Sequence, residues 1–347
     1  MDTIRVGIVG LGANCRLRHV DGLKSCPQVE ISGVVNRGED STRRAAEEYS
    51  IPKTYSHWEQ LVTDPELDAV VIGTWPYLHC PITLAALDAG KHVLTEARMA
   101  CNAEEAHRML EASQQHPQLV TQIVPSPLGF HALRTLRRMI KEGFLGKLRE
   151  VACLSVANYL TDREAPLHWR QSAEYSGLNM LSLGIIHEAV TRWVPSPTRV
   201  LAQTQTFVTQ RPHPGQDALA DVGTPDSVHV LTELPDGARG IYHLSAAVHF
   251  GPGDEVHFYG EDGTIKYLMS PENELWAGRR GEDSLRKVEI PDHEAYDWQV
   301  EQDFIEAIRG EGSIEFTDFA TGVRYMEFTE AVARSAQTGA AVSLPLA

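Results

Sequence analysis

The sequence predicts a protein of two domains, an α/β domain with a parallel sheet and an α+β domain with a mostly antiparallel open sheet. In residues 3–124, apolar runs typical of strands alternate with helical patterns, which indicates a doubly wound parallel sheet. After Pro125-Ser126-Pro127, strand runs follow one another with glycine-rich turns between them. A chain of 347 residues is also longer than one hydrophobic core usually supports. We therefore predict one domain at 1–124 and a second at 125–347.

Elements of the first domain follow from apolar runs and from capping residues. Ala69-Val70-Val71-Ile72 is uninterrupted, as expected of a strand covered on both faces. Asn102-x-x-Glu105 and Ser56-x-x-Glu59 resemble capping boxes that open helices. Strands are predicted at Ile4–Val9, Val29–Asn36, Asp68–Gly73, Lys91–Leu94 and Leu119–Val124. Helices are predicted at Asp40–Tyr49, after Ser56, at His79–Asp88 and after Asn102.

The second domain contains fewer helices and more strands. Asp236-Gly237 and Asp262-Gly263 are dipeptides typical of hairpins between neighbouring strands. Strands are predicted at Lys147–Asn158, Arg199–Val208, Ser227–Leu234, Gly240–Ala247, Glu255–Tyr259 and Thr264–Leu268. Helices are predicted at His131–Glu142, Gly177–Val194, Trp298–Ile308 and Phe319–Ala336.

Charge and cysteine content exclude several classes of protein. A formal charge of −16 disfavours nucleic acid as a partner, because its phosphates would be repelled. No apolar run is long enough to cross a bilayer, and the chain opens directly into its first strand, so we expect neither a membrane anchor nor a signal peptide. The five cysteines form no C-x-x-C pair, which favours reduced thiols in the cytoplasm and no metal site.

The first strand leads into a turn that favours phosphate binding. Gly10-x-Gly12 follows the strand at once, and Cys15 stands where the G-x-G-x-x-G/A pattern has its third small residue. Such a turn exposes backbone N–H groups and the positive end of a helix dipole to a phosphate. We interpret it as a dinucleotide-binding turn, while a plain strand-to-helix turn remains the alternative.

Several segments together resemble the Gfo/Idh/MocA family, which includes glucose-fructose oxidoreductase and inositol dehydrogenase. The segments that carry the resemblance are the glycine turn with His19, Asp64–Ile72, Leu78-His79, Ala85–Leu94, Glu142–Lys147, Trp169-Arg170, Tyr259–Thr264 and Val332–Leu344. The resemblance implies a Rossmann domain joined to a sheet domain, with the active site between them. It also implies an NAD- or NADP-dependent oxidoreductase that acts on a sugar, cyclitol or related polyol and forms a homodimer or homotetramer.

Cofactor residues are predicted from the resemblance and from strand ends. Asn36 and Arg37 end the second strand, where an acidic residue would hold the ribose of NAD, so a 2′-phosphate of NADP is equally acceptable there. The remaining candidates lie in the glycine turn and in the loops after two further strands. The predicted cofactor residues are Gly10, Gly12, Asn14, Asn36, Arg37, Thr74, Trp75, His79 and Glu96.

Departures from the family pattern affect the expected catalytic groups. The family usually has a Glu-Lys-Pro motif where this chain has Glu96-Ala97-Arg98, and it places an aspartate and a histidine where this chain has Ser182 and Ile186. His187 lies one position later, which turns its side chain by roughly 100° on a helix. Arg98 and His187 are the predicted replacements, with Tyr159 as a further catalytic candidate.

Substrate binding is assigned to side chains that suit a sugar. Trp169 offers a face for stacking, and Arg170 and Asn179 offer hydrogen bonds to hydroxyl or carboxylate groups. Simple packing remains an alternative for each of them. The altered catalytic positions also leave a second function open: a relative that binds the cofactor without net redox activity, as a lyase, a hydrolase or a non-catalytic protein.

Overall fold

Six parallel strands form the first sheet. The computed structural model describes residues 3–346 of the chain. The strands are β1 (Ile4–Val9), β2 (Val29–Val35), β3 (Lys53–Thr54), β4 (Ala69–Ile72), β5 (His92–Thr95) and β6 (Thr121–Ile123). Their order is β3-β2-β1-β4-β5-β6, and every neighbouring pair is parallel, which confirms the predicted parallel sheet. The order reverses between β1 and β4, the point where such sheets open a crevice at the carboxyl ends of their strands.

Five helices accompany these strands, and their starts test the predicted caps. They are α1 (Val20–Ser25), α2 (Glu39–Tyr49), α3 (Trp58–Val62), α4 (His79–Asp88) and α5 (Ala103–Gln115). At α5 the prediction is confirmed, because Asn102 Oδ1 accepts a hydrogen bond of 2.8 Å from the backbone N–H of Glu105. At α3 it is wrong: the N-cap is His57, and the backbone N–H of Ser56 donates to Gln60 Oε1 instead.

Nine strands form a mixed sheet in the second half of the chain. It contains β7 (Leu148–Val156), β8 (Arg199–Gln205), β11 (Ser227–Glu233), β12 (Arg239–Ser245), β13 (Gly253–Gly260), β14 (Gly263–Ser270), β15 (Glu274–Arg279), β16 (Arg286–Val288) and β17 (Val342–Ser343), while β9 (Gln210–Pro212) and β10 (Leu219–Asp221) pair separately. Only β7 and β12 pair in parallel among the described strands of this sheet, so the predicted mostly antiparallel sheet is confirmed.

Helices α6 (Leu133–Lys141), α7 (Ala173–Ser176) and α8 (Leu183–Val190) belong to the same half. The single helix predicted at Gly177–Val194 is shorter than expected. Gly177 and Leu181 both have left-handed backbone angles, with φ of 61° and 45°, and such residues interrupt a right-handed helix. Helix α8 therefore begins only after Ser182.

The chain divides into two compact units. The first extends to Pro125 and also takes in Gln299–Met326; the second comprises Ser126–Trp298 and the residues from Glu327 onward. Helix α9 (Val300–Arg309) packs on α1 through the close approach of Glu301 to Gly22, and Thr317 O accepts a hydrogen bond from Ile123 N. The predicted boundary assigned 299–326 to the second domain, whereas these contacts hold it in the first unit.

Helix α10 (Phe319–Thr338), with 20 residues, is the longest described helix. Neither it nor any other helix within residues 3–346 combines the length and the apolar character needed to cross a membrane.

Candidate functional site

Gly10 and Gly12 shape the turn after β1 in different ways. Gly10 has φ of 84°, and a Cβ added there would lie 2.8 Å from the backbone nitrogen of Thr74. A Cβ added at Gly12 would meet its nearest atom, Gly73 O, only at 3.8 Å. Gly10 is therefore required by the fold, whereas the space beside Gly12 is open for a phosphate to approach the backbone.

Cys15 fills the third position of the glycine pattern as a packing residue. Its Sγ lies 2.2 Å from where a Cβ at Gly73 would stand, and it donates to Gly10 O at 3.5 Å. Burial raises the pKa of the Cys15 thiol well above its usual value, which keeps the sulfur protonated. Cys15–His19 forms a single π-helical turn that leads into α1.

A cavity of about 480 Å³ opens beside this turn, within the first unit. It is lined by Val9, Gly10, Leu11, Gly12, Val35, Asn36, Arg37, Ser41, Ser56, His57, Trp58, Gly73, Thr74, Trp75, Tyr77 and Leu78. Six of the predicted cofactor residues are among them. The structure thus brings together the glycine turn, the end of β2 and the loop after β4 around one space.

Asn36 and Arg37 both line this cavity, but their side chains make different contacts. Asn36 Oδ1 accepts a hydrogen bond of 2.7 Å from Leu11 N, and its Nδ2 donates to Ser41 O at 3.1 Å. The amide therefore ties the glycine turn to α2, because its oxygen and nitrogen are both engaged by backbone groups. The guanidinium of Arg37 lies 5.3 Å from the ring centroid of Trp75, an arrangement that holds a cation at the cavity wall.

His79 is a bridge between two loops, not part of the cavity wall. Its side chain is fully buried, and Nε2 and Nδ1 lie 3.0 and 2.9 Å from the carbonyl oxygens of Thr74 and Arg98. Burial lowers the pKa of His79, so the neutral ring donates one hydrogen bond at a time. His79 therefore joins the segments that contain Thr74 and Arg98, and its predicted cofactor contact stays a prediction.

Four polar side chains form a group that we call the His19 cluster; His19, Glu96 and Glu301 are buried, and Asn14 is exposed. Asn14 Nδ2 donates to Glu96 Oε1 at 2.7 Å, His19 Nε2 lies 2.9 Å from the same oxygen, and His19 Nδ1 bonds to Glu301 Oε1. These contacts join the first helical turn, the end of β5 and α9. The predicted residues Asn14 and Glu96 belong to this cluster and do not line the cavity.

Protonation in the His19 cluster follows from opposing effects. Burial by itself would lower the pKa of His19, but the carboxylates of Glu301 and Glu96 outweigh it and raise the pKa to about 9. Burial would likewise raise the pKa of Glu96, yet the hydrogen bonds from His19 and Asn14 hold it below its usual value. At neutral pH the cluster therefore contains an imidazolium between carboxylates.

Cys15, His19 and Glu96 also stand close enough to suggest a metal site. One ligand atom from each lies within 4.8 Å of the others. However, both ring nitrogens of His19 are already bonded to carboxylates, and the raised pKa of Cys15 opposes the thiolate that a metal needs. The chemistry of these donors fits a charge cluster better than a metal centre.

Arg98 lies after β5, and its side chain is buried. The Ala97–Arg98 peptide bond is cis, and the carbonyl of Arg98 is the one that His79 contacts. A catalytic role for Arg98 stays a prediction.

His187 lies in the core of the second unit. Its ring is 1% exposed, stacks on Phe328 with ring centroids 3.6 Å apart, and bonds through Nδ1 to the hydroxyl of Tyr242 at 2.9 Å. Burial lowers the pKa of His187 to about 3, so the ring stays neutral at physiological pH. His187 is therefore packed in the core of the second unit, and the catalytic role predicted for it stays a prediction.

The remaining predicted residues of the second unit differ in exposure. Asn179 is buried and donates through Nδ2 to Ser176 O at 2.7 Å, which fixes the turn before α8. The guanidinium of Arg170 lies 4.3 Å from the ring centroid of Trp169, and both side chains reach the surface. Tyr159 is exposed in the segment after β7. The predicted roles of Trp169, Arg170, Tyr159 and Asn179 all stay predictions.

Two family models match the chain, one over the segment that forms the parallel sheet and one over part of the segment that forms the mixed sheet. The model described as the oxidoreductase family with an NAD-binding Rossmann fold matches residues 4–123, and that of the GFO/IDH/MocA C-terminal domain matches residues 133–266. The chain belongs to the Gfo/Idh/MocA family. Its first unit is thus a Rossmann domain of the NAD-binding kind, and its second is the family's sheet domain.

Other members of the family are similar to this one over most of its length. The levoglucosan dehydrogenase of Pseudarthrobacter phenanthrenivorans is 25% identical over 341 residues, 87% of this chain and 86% of that protein. The scyllo-inositol 2-dehydrogenase (NADP⁺) of Bacillus subtilis is 24% identical over 345 residues, 99% of this chain and 88% of that protein. A solved levoglucosan dehydrogenase in complex with NADH and levoglucosan has a TM-score of 0.86 at 21% identity, covering 99% of this chain and 100% of that chain, which shows a shared fold.

Sequence reasoning missed two members of the His19 cluster. His19 was noted only for its place after the glycines, and Glu301 comes from α9, which the predicted boundary put in the other domain. Glu301 in the first turn of a helix appears in sequence as an ordinary surface carboxylate. Only the packing of α9 on α1 shows that it is buried.

Proposed function

We propose that this member of the Gfo/Idh/MocA family is an NAD(P)-dependent oxidoreductase that acts on a sugar, cyclitol or related polyol. The observation that carries the proposal is the glycine turn beside a 480 Å³ cavity in a Rossmann domain of this family. The turn Gly10–Gly12, which we call the cradle, fits a dinucleotide. Gly10 keeps the turn tight, and Gly12 leaves space beside the backbone for a phosphate. Relatives named for levoglucosan and scyllo-inositol support the substrate class.

Each cavity residue has a distinct proposed task. Gly10 and Gly12 present the turn to the pyrophosphate, Arg37 stands where the adenosine ribose is held, and Thr74 with Trp75 forms the opposite wall. Thr74 Oγ1 is buried and has no hydrogen-bond partner among the described residues, so it is available to a ligand atom. A bound nicotinamide supplies the acceptor or donor of a hydride.

Arg37 is expected to determine the preference between NADP and NAD. A charge-assisted hydrogen bond to a 2′-phosphate contributes about 1.5–3 kcal/mol, whereas the ribose hydroxyl of NAD gains little from a guanidinium. In an Arg37→Ala variant, the Kd for NADPH should rise by roughly 10- to 100-fold and the Kd for NADH by less than about threefold. Fluorescence titration of both cofactors measures this difference. Arg149→Ala, which removes an exposed arginine of the second unit, is the control, and equal losses for both cofactors would contradict the assignment.

The substrate side of the proposal rests on surface side chains of the second unit. Trp169 and Arg170 form a stacked pair that suits a sugar face and its hydroxyls, and Tyr159 offers an exposed phenol. Arg98 stays the proposed cation in place of the family lysine. Two observations favour a second candidate, a cofactor-binding relative without net redox activity. His187 is buried, and Ala97 stands where the family usually has a lysine.

One experiment separates the two functions. Purified protein is titrated with NAD⁺, NADH, NADP⁺ and NADPH by tryptophan fluorescence, and then assayed at 340 nm with levoglucosan, scyllo-inositol, myo-inositol and L-sorbose. Cofactor binding with turnover of any of these substrates supports the oxidoreductase. Binding without turnover across an extended polyol panel supports the second candidate, and no binding at millimolar cofactor contradicts both.

The open face of the nine-stranded sheet supports a proposed homodimer or homotetramer. Leu201, Leu231 and Ile241 are exposed there on the adjacent strands β8, β11 and β12, and Tyr259 is exposed on β13 beyond β7. A second copy of the chain is the occupant that such an apolar face suits. Light scattering after gel filtration is expected to give a multiple of the 38.4 kDa chain. The five buried, unpaired cysteines agree with a cytoplasmic location, which we also propose.

A further inference from the structure

Three side chains of the second unit form a continuous chain of hydrogen bonds that no role assigned so far uses. Ser155 Oγ donates to Asp254 Oδ1 at 2.6 Å and lies 3.0 Å from Ser182 Oγ. Asp254 and Ser155 stand directly opposite each other on β13 and β7, and Ser182 immediately precedes α8. Two strands and the start of a helix therefore converge so that a single hydroxyl group, that of Ser155, connects Ser182 to a carboxylate.

The direction of this chain follows from counting protons. A serine hydroxyl has one hydrogen, and that of Ser155 is given to ionised Asp254. Ser182 must then donate to Ser155, which leaves the lone pairs of Ser182 Oγ to accept a proton from outside. When Asp254 is protonated, both hydroxyls reverse and Ser182 becomes a donor. A proton can thus pass between Ser182 and Asp254 without movement of any heavy atom.

The surroundings of Asp254 allow it to change its charge. It faces Ser155 on β7 and Ser270 on β14, both uncharged, and Ser182 stands at the start of α8. Glu255, the next residue along β13, pairs with His257 and Lys266 and belongs to the other face of the sheet. Burial raises the pKa of Asp254 above its usual value, and the bond from Ser155 lowers it in part.

Ser182 stands at one end of the hydrogen-bonded chain. Its side chain is partly exposed, as are those of Ser155 and Asp254, while His187 five residues later is enclosed in the core. Leu181 holds φ of 45°, a left-handed angle that costs a leucine about 1–2 kcal/mol and that sets the backbone immediately before Ser182. The fold therefore maintains an unfavourable backbone conformation at the position that presents this hydroxyl.

Given the proposed oxidoreductase function, on which this inference rests, we propose that Ser182 is the catalytic residue that exchanges a proton with the substrate hydroxyl, and that Ser155 and Asp254 are positioning residues that relay it. During oxidation the substrate O–H bond breaks and its proton binds Ser182 Oγ. The hydrogen of Ser182 passes to Ser155, and that of Ser155 passes to the Asp254 carboxylate. A dinucleotide held at the Gly10–Gly12 turn would supply an oxidised nicotinamide as the acceptor for the hydride that the carbinol carbon loses as the carbonyl forms. Reduction reverses each transfer.

The variants that test the relay are Ser182→Ala, Ser155→Ala and Asp254→Asn, with Ser270→Ala as the matched control. Ser270 lies across from Asp254 on the neighbouring strand but outside the hydrogen-bonded chain. With a substrate that the wild type oxidises, Ser182→Ala and Asp254→Asn should lower kcat by about 100-fold or more. KM should change by less than about threefold, and NADH and NADPH should bind all variants as they bind the wild type. Ser270→Ala should retain the wild-type kcat.

Two further readouts separate a relay from a merely structural role. In the wild type, kcat/KM for oxidation should fall as pH falls through the pKa of Asp254, and this limb should be absent in Asp254→Asn. Carboxyl ¹³C NMR should show the titration of Asp254 moving to higher pH in Ser155→Ala, which loses the bond that favours the ionised form.

Wild-type turnover that survives in Ser182→Ala or Asp254→Asn would overturn the relay alone. Equal loss in Ser270→Ala, or an acid limb retained in Asp254→Asn, would do the same. Cofactor binding without any wild-type turnover would overturn the proposed function, and with it the relay.

Discussion

A His19→Leu variant is expected to lose about 3–5 kcal/mol of folding stability, because it leaves the carboxylates of Glu96 and Glu301 buried without their shared cation. Both carboxylates are almost fully enclosed in the first unit, so water replaces the imidazolium poorly. Thermal unfolding should show a decrease in melting temperature on the order of 10 °C. His293→Leu, which removes an exposed imidazole, is the control and should stay within about 2 °C of the wild type.

The pH dependence of the same cluster has a definite sign. The pKa of His19 is raised to about 9 in the folded state, above about 6.5 for an unfolded histidine. Its stabilising contribution is therefore complete below about pH 6.5 and is lost as pH rises through 9. The pKa of Glu96 is lowered, so its contribution is present above about pH 4.5 and is lost as pH falls below that value.

Melting temperatures measured from pH 5 to 10 should thus decline on the alkaline side in the wild type. This particular decline should be weaker in His19→Leu, which has no imidazolium to deprotonate. A difference of less than about 1 kcal/mol between the variant and the wild type at pH 6.5 would mean that the cluster contributes little. An alkaline decline of equal size in both proteins would assign it to other groups.

Local patterns predicted the framework of the site correctly. The apolar run Ile4–Val9 and the glycines after it required a strand and a tight turn, and the structure has both, because φ of 84° at Gly10 is available at little cost only to glycine. Cys15 was expected to pack closely, and its contact with Gly73 explains why a small side chain is needed there. These features depend on neighbours in sequence or on one adjacent strand.

The incorrect or missing predictions concern contacts between distant segments. A helical pattern shows that 300–309 has an apolar face but not which sheet covers it, so the burial of Glu301 could not be foreseen. His187 lies one position after the family's histidine, and the sequence does not show that its ring meets Phe328 from α10 in a core that decides its protonation. Asp254 and Ser182 are 72 positions apart in the numbering, and only the pairing of β7 with β13 joins them.

Alanine substitutions at Gly10 and at Gly12 should distinguish an effect on folding stability from an effect on cofactor binding. Gly10→Ala forces an alanine to φ of 84° and brings its Cβ to 2.8 Å from a backbone nitrogen that cannot move aside. We expect a loss of about 2–4 kcal/mol in stability together with loss of cofactor binding. The melting temperature of the cofactor-free protein and the Kd for NADH and NADPH, measured on the same preparation, report the two effects.

Gly12→Ala should behave differently, and this contrast is the sharper test of the cradle. Its Cβ meets no protein atom closer than 3.8 Å, so the cofactor-free variant should melt within about 2 °C of the wild type. The methyl group instead occupies the space through which a pyrophosphate approaches the turn, so the Kd for both cofactors should rise at least about tenfold, equivalent to about 1.4 kcal/mol. Unchanged affinity in a stable Gly12→Ala protein would mean that the dinucleotide does not lie against this turn. If Gly12→Ala is destabilised instead, the added methyl group must clash with protein atoms, and the space beside Gly12 is smaller than the 3.8 Å distance indicates.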